Sequence, residues 1–246
     1  MRILLLTVSM TSVIFAQSPL VLRFIHLQDA QAITETGTIV RSAGEIRDLQ
    51  VDAHARMLTV SGPRWQTDLA AWLFPKLDRP VRDTPPASEK YEIEGQPDPS
   101  VRVVYPVQTR TPQELSELMT TVRSAAEIRR GFVSHATWSF VMRGTPDEMA
   151  AAEWLLTQLD GKALPSEIHI LPNTAEGVMR VFWLQPSLSI EQLHQEATAV
   201  RAQTRMRRTF TYTRLRTVVV RGTSEQVTMA ERLFRDRGVL AAAGLK

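Results

Sequence analysis

The phrase VRSAGEIRDLQ starts at Val40, returns as VRSAAEIRRGF at Val122, and returns again, more loosely, as VRAQTRMRRTF at Val200. Laid together without a gap, residues 101–160 and 179–238 share 16 identities in 60 positions, where chance gives roughly 4. The chain is therefore built from one supersecondary unit used three times, and any fold proposed for it must solve the same unit in each copy.

The middle copy reads most clearly. VRVVYPV is β-branched and aromatic and suits a strand. TPQEL follows, with Thr111 at an N-cap, Pro112 at the first helical position and Glu114 at the capping-box position. Leu115, Leu118, Met119 and Val122 then share one helical face. EIRRGFVSHATWSFVMRG predicts two short strands around SHAT, and TPDEMAAAEWLLTQLD opens a second helix from Thr145, Pro146 and Glu148. The order is β-α-β-β-α, and the fold class is α+β: three tandem modules, each a three-stranded sheet with two helices on one face.

The third copy repeats the design, with Ser189 and Gln192 capping its first helix and Thr223 and Gln226 its second. Val40, Val122 and Val200 close the first helix of each module onto its core. The first copy aligns LRFIHL with VRVVYPV and matches Arg23 to Arg102, which makes its early part three residues shorter and places a deletion in its first helix. These readings divide the chain into a leader (1–18), module 1 (19–79), a linker (80–100), module 2 (101–161), a second linker (162–177), module 3 (178–240) and a tail (241–246). The linkers are rich in Pro, Gly and Ser. Each also carries a segment, KYEI and IHIL, that suits a short strand before the next module.

The leader reading rests on Arg2, the apolar run ILLLTVSMTSVIFA and the QSP that follows, a pattern of export signals too short for a comfortable membrane span. Val, Ile, Thr and Phe in that run also suit a first strand. The expectation is a cleaved signal peptide and a periplasmic mature protein without a transmembrane span. The chain has no cysteine, which excludes disulfides, thiol catalysis, cysteine metal sites and lipidation at a cysteine after the leader.

A strand-turn-strand ending in V-x-G-[ST]-P-[ED], followed by a helix ending LxxLD, resembles the periplasmic N-terminal domains of the secretin family. Those domains are the ring-building modules of outer-membrane channels in type II and III secretion and type IV pilus systems. The matching residues are SFVMRGTPDEMAAAEWLLTQLD, TVVVRGTSEQVTMAERLF and MLTVSGPRWQTDLAAWLFPKLD. The resemblance implies a non-enzymatic scaffold that packs side by side into homo-oligomeric rings and docks envelope proteins, a secretin or pilus component among them. Secretins continue into a C-terminal β-barrel domain, whereas this sequence stops at Lys246, so the expectation is an accessory rather than the channel.

Residue patterns for chemistry are sparse. His26, His54, His135, His169 and His194 show no metal-ligand spacing, and there is no G-x-S-x-G, P-loop or dinucleotide fingerprint. No catalytic, cofactor-binding or metal residue is expected, and no cofactor. Glu114, Glu148 and Glu153 read as caps and solvated faces. An enzyme would need residues that meet only in three dimensions, and a cleft holding a converged His–carboxylate pair would favour that reading. Of the five tryptophans, Trp138 and Trp183 are placed to lie on an open sheet face.

Charge is more informative. Residues 177–246 carry 12 Lys/Arg against 5 Asp/Glu, and residues 1–176 carry 17 against 21, so module 3 is basic on a slightly acidic chain. In RMRRTFTYTRLRTVVVR, Arg205 and Arg207 are placed on one strand face and Arg214 and Arg216 on the next. With Arg208, Phe210, Tyr212 and Arg221 they make a candidate interaction patch for an acidic protein, anionic lipid or cell-wall polymer. A KH-like nucleic-acid binder is the remaining class. Its G-x-x-G clamp is absent, because Trp65, Asp147 and Glu225 stand three positions after Gly62, Gly144 and Gly222.

Overall fold

The structure is a computed structural model that describes residues 18–80, 84–161, 168–172 and 174–241. Residues 1–17, which hold nearly all of the expected leader, lie outside the described residues, as does most of the expected tail.

Module 1 runs β1 (Leu20–Arg23), α1 (Ala30–Gly44), β2 (Asp48–Asp52), β3 (Met57–Ser61) and α2 (Arg64–Leu77). Alternation of buried and half-buried residues in β3 marks a strand with one face in the core, and the antiparallel order is β1-β3-β2. Leu58 and Val60 point inward onto α1 and α2, while Thr59 and Ser61 share the other face with Asp48, Gln50 and Asp52.

Module 2 comprises β5 (Ser100–Val104), α3 (Pro112–Ala126), β6 (Arg130–Ser134), β7 (Ser139–Gly144) and α4 (Pro146–Asp160). Module 3 comprises β9 (Val178–Trp183), α5 (Ile190–Thr204), β10 (Arg208–Tyr212), β11 (Thr217–Gly222) and α6 (Ser224–Asp236). The linker segments add β4 (Glu89–Glu92) and β8 (His169–Ile170) at the edges. The sheets of modules 2 and 3 therefore have four strands, β4-β5-β7-β6 and β8-β9-β11-β10, rather than the three expected.

Every residue of β7 and β11 is buried, which a sheet covered on one side only cannot achieve. The second cover is the preceding module. Val101, Val103, Tyr105 and Val141 of module 2 belong to the same core as Ile33, Ile39, Leu69, Leu73 and Phe74 of α1 and α2. Met179, Val181, Tyr212 and Val219 of module 3 likewise join Leu118, Met119, Leu155 and Leu159 of α3 and α4. Phe182, Val218 and Val220 face the other way, onto α5 and α6. The chain is a six-layer stack that alternates sheet and helix pair, and Trp183, expected on an open face, packs against the module 2 core.

Two motif residues gain physical reasons. The glycine before each second helix leaves room for the third side chain of that helix, a capping-box partner in modules 2 and 3: a Cβ on Gly62, Gly144 or Gly222 would collide with Gln66, Glu148 or Gln226. Reciprocal capping boxes form at Thr145/Glu148, Ser189/Gln192 and Thr223/Gln226. At Thr111 the box is open, because Glu114 accepts from the Arg110 N–H instead. The aspartate of LxxLD accepts backbone N–H groups from the loop after the first strand. Asp78 takes those of Ile25, His26 and Leu27 at 2.6, 3.0 and 2.8 Å, and Asp160 those of Val107 and Gln108 at 2.6 and 2.8 Å.

The expected deletion in module 1 is not there. Both α1 and α3 have 15 residues, and the strand registers keep one offset throughout. Val21 lies opposite Thr59 as Val103 lies opposite Val141, so the counterpart of Arg102 is Leu20, not Arg23.

Candidate functional site

The repeated phrase leads to the joints between modules. Each first helix ends on a residue in the left-handed region: Glu45 (φ 51°), Glu127 (φ 62°) and Arg205 (φ 56°). The Ile46 and Ile128 N–H groups close the turn onto Arg41 and Arg123 carbonyls at 2.9 Å. This geometry throws the Glu45 and Glu127 carboxylates out of the helix end toward the sheet of the following module.

On that sheet two arginines face each other across the ladder, Arg130 with Arg143 in module 2 and Arg208 with Arg221 in module 3. Directly opposed like charges destabilise a sheet unless countercharge lies between them, and here it does. Arg130 pairs with Glu45 and Asp98, and Arg208 with Glu127 and Glu176. The Arg143 side chain is 0% exposed. Its Nη1 donates to the Ala43 carbonyl at 2.8 Å, Nε to the Asp98 carbonyl at 3.0 Å and Nη2 to Asp98 Oδ1 at 2.9 Å. Arg221 repeats this, donating to Ala125 O at 3.1 Å and Glu176 O at 3.0 Å, with Nη2 2.9 Å from Glu127 Oε2. Burial lowers the pKa of both arginines. Arg130 and Arg208 add to that effect in their respective sites, and Glu45 and Glu127 oppose it.

A second contact repeats beside the clamp. Glu35 of α1 accepts from the His135 N–H at 3.2 Å and lies 3.0 Å from His135 Nδ1. Glu117 of α3 accepts from Thr213 N and Oγ1, both at 2.7 Å.

The expected patch is divided by this arrangement. Arg208 and Arg221 form the clamp, Tyr212 is fully buried in the module 2 core, and Phe210 packs half-buried against it. Burial pushes the Tyr212 hydroxyl up to about 12. Arg214 lies in a 3-10 turn (Thr213–Leu215), 3.8 Å from Glu114, and Arg216 caps that turn and donates to Leu188 O at 2.8 Å. Arg205 and Arg207 remain exposed, but Arg205 caps α5 and β10 begins only at Arg208, so the two do not share a strand face. Sequence reasoning missed Glu45, Asp98, Glu127, Glu176, Arg130 and Arg143. The available signal was acids and arginines recurring at the repeat offsets.

No protein-family model matches the chain, and no curated protein matches it. Solved structures do. One is ExeD of Aeromonas hydrophila, at 12% identity and a TM-score of 0.21, with 89% of this chain and 40% of that one covered. A second is a dimeric mutant of the N-terminal domain of the secretin XcpQ from Pseudomonas aeruginosa, at 15% identity and a TM-score of 0.26, covering 72% and 80%. A third is the pilotin–secretin complex AspS–GspD of ETEC, at 11% and 0.21, covering 89% and 37%. The chain resembles secretin N-terminal domains. It spans about two fifths of the length of the ExeD structure.

A groove of about 780 Å³ runs along the first joint, lined in part by Glu35, Ser116, Met119, Arg123 and Phe132. His135 stands beside it, with Nε2 3.3 Å from Ser116 Oγ and Nδ1 facing Glu35. This is the converged His–carboxylate pair that would favour an enzyme, extended by a hydroxyl. Acyl transfer also needs paired N–H donors aimed at a developing oxyanion. Ser116 sits within α3, where backbone N–H groups are spent on the helix. In the second joint the positions of Glu35, Ser116 and His135 hold Glu117, His194 and Thr213, and the glutamate still grips its partner. The repeated part is the grip. Among the described residues no cluster of three His, Cys, Asp or Glu is placed to hold a metal ion, and no helix is long and apolar enough to cross a membrane.

Proposed function

We propose that the chain is a non-enzymatic interaction scaffold of the periplasm that works with an envelope secretion or type IV pilus machine. The observation that carries the scaffold reading is the pair of buried arginine clamps. Together with cores shared across both joints, they fix three modules at set spacings and leave edges and ends for partners. The envelope assignment is supported by the sequence motifs shared with secretin N-terminal domains and by the leader pattern. With Arg208, Arg214, Arg216 and Arg221 engaged inside the molecule, the expected patch offers an anionic surface or nucleic acid only Arg205 and Arg207.

The test is photocrosslinking in the source cell from an unnatural amino acid at Ile25, Ile170 or Val107, all exposed. Adducts with a secretin or pilus protein, and an N-terminus beginning near residue 19, support the proposal. Adducts confined to cytoplasmic proteins on a chain that retains Met1 refute it.

The Ser116–His135–Glu35 array favours a second reading, a hydrolase at the first joint. A fluorophosphonate probe that labels the chain, and fails to label Ser116→Ala, would establish it. No labelling removes it.

A further inference from the structure

The two ends of the stack differ from its interior in a correlated way. At the helix-cap position that carries Glu45 and Glu127 in the joints, module 3 carries Arg205. At the strand position that carries Arg130 and Arg208, module 1 carries Asp48, which lies opposite Ser61 as those arginines lie opposite Arg143 and Arg221. Both charges of the joint are inverted at the free ends, and both end residues are exposed without an ion-pair partner among the described residues.

We infer that copies of this chain associate head to tail, the outer face of the module 1 sheet seating on α5 and α6 of another copy, with Asp48 against Arg205. The pairing is selective by charge. Arg205 presented to an interior sheet would meet Arg130 or Arg208, and Asp48 presented to an interior helix end would meet Glu45 or Glu127. Only the two free ends attract. The neighbouring positions agree. Gln195 stands where Glu35 and Glu117 stand, with an amide oxygen able to accept the Ala53 N–H at the position of His135 and Thr213. Met229 and Leu233 of α6 occupy the places of Ala151 and Leu155, which bury against the next sheet, yet Met229 is 44% exposed. Val21, 55% exposed, lies on the module 1 face that would cover them. A heterologous contact of this kind builds a ring if its rotation closes and a filament if it does not. With one exposed ion pair and a polar sheet face, association is weak and falls with salt.

Sedimentation velocity of the purified full chain at low ionic strength, over a series reaching hundreds of micromolar, tests the inference. The average mass should rise with concentration. Arg205→Glu and Asp48→Arg should each weaken association by about tenfold or more, and the two together should restore it. Each substitution copies what the chain already tolerates at the equivalent place, Glu at a left-handed cap and Arg on that strand, so folding is retained and circular dichroism checks it. A wild-type chain that stays monomeric, association indifferent to the single changes, or a double variant that is not restored each overturns the inference. It stands on the joint geometry alone, so its failure leaves the proposed envelope role to its own crosslinking test.

Discussion

Replacing Arg143 by Met tests whether the joints are held by buried clamps or only by apolar contact. The guanidinium makes three hydrogen bonds, to Ala43 O, Asp98 O and Asp98 Oδ1, from a side chain with no solvent exposure. Met keeps the aliphatic volume, so no large cavity opens, but two carbonyls and a carboxylate lose their donor in the interior. Removing one partner of a buried pair costs about 3–5 kcal/mol. Arg130 still neutralises Asp98, which places the expected loss near the lower end, about 3 kcal/mol. Arg130, whose side chain is 28% exposed, should cost only about 1 kcal/mol when changed to Met. Urea unfolding followed by tryptophan emission reads both, and Trp65, whose ring lies 5.3 Å from the Arg143 guanidinium, reports the joint directly. A double-mutant cycle of Arg143→Met with Asp98→Asn should show coupling above about 1 kcal/mol. Equal losses for the two arginines, or a loss below about 1 kcal/mol for Arg143, would refute the clamp.

Asp160→Ala leaves the Val107 and Gln108 N–H groups without their acceptor and should cost about 2–4 kcal/mol in the same unfolding measurement. The Tyr212 hydroxyl, held near 12 against 10.0 in the unfolded chain, keeps its proton in the folded state after the unfolded chain has lost it. Stability therefore falls as pH rises from 10 toward 12, by about 2 kcal/mol at the upper limit. Tyr212→Phe should remove that part of the slope in denaturant titrations at stepped pH. Arg56, exposed and held at φ 54° in the module 1 hairpin, should gain up to about 1 kcal/mol on replacement by Gly, visible as a higher Tm.

The unit itself was legible because its determinants are local. Caps at Thr145, Ser189 and Thr223, the periodicity of Leu115 to Val122, and the β-branched strands all act within a few residues. The joints were not, because Glu45 and Arg143 are far apart in sequence and meet only once the layering direction is known. The basic run in module 3 looked like a surface for the same reason: its countercharges, Glu114, Glu127 and Glu176, belong to the preceding module and linker. The matching of Arg23 to Arg102 failed because residue likeness outweighed register, whereas cross-strand partners fix the frame without regard to residue identity.

A stack of this kind sets the order of its modules. The sheets of modules 2 and 3 present Val141, Phe132, Val219 and Phe210 to a helix layer, so neither could stand first without exposing an apolar face and a buried arginine. The sheet of module 1 presents Thr59, Gln50, Ser61 and two aspartates at the matching positions, which tolerate water. The outer face of the module 1 sheet is polar apart from Val21 and Met57, while the helix layer of module 3 keeps Met229, Ile190 and Arg205 exposed. The asymmetry leaves the helical end as the more adhesive of the two, and its charge selects a partner surface carrying acids where the interior joints carry arginines.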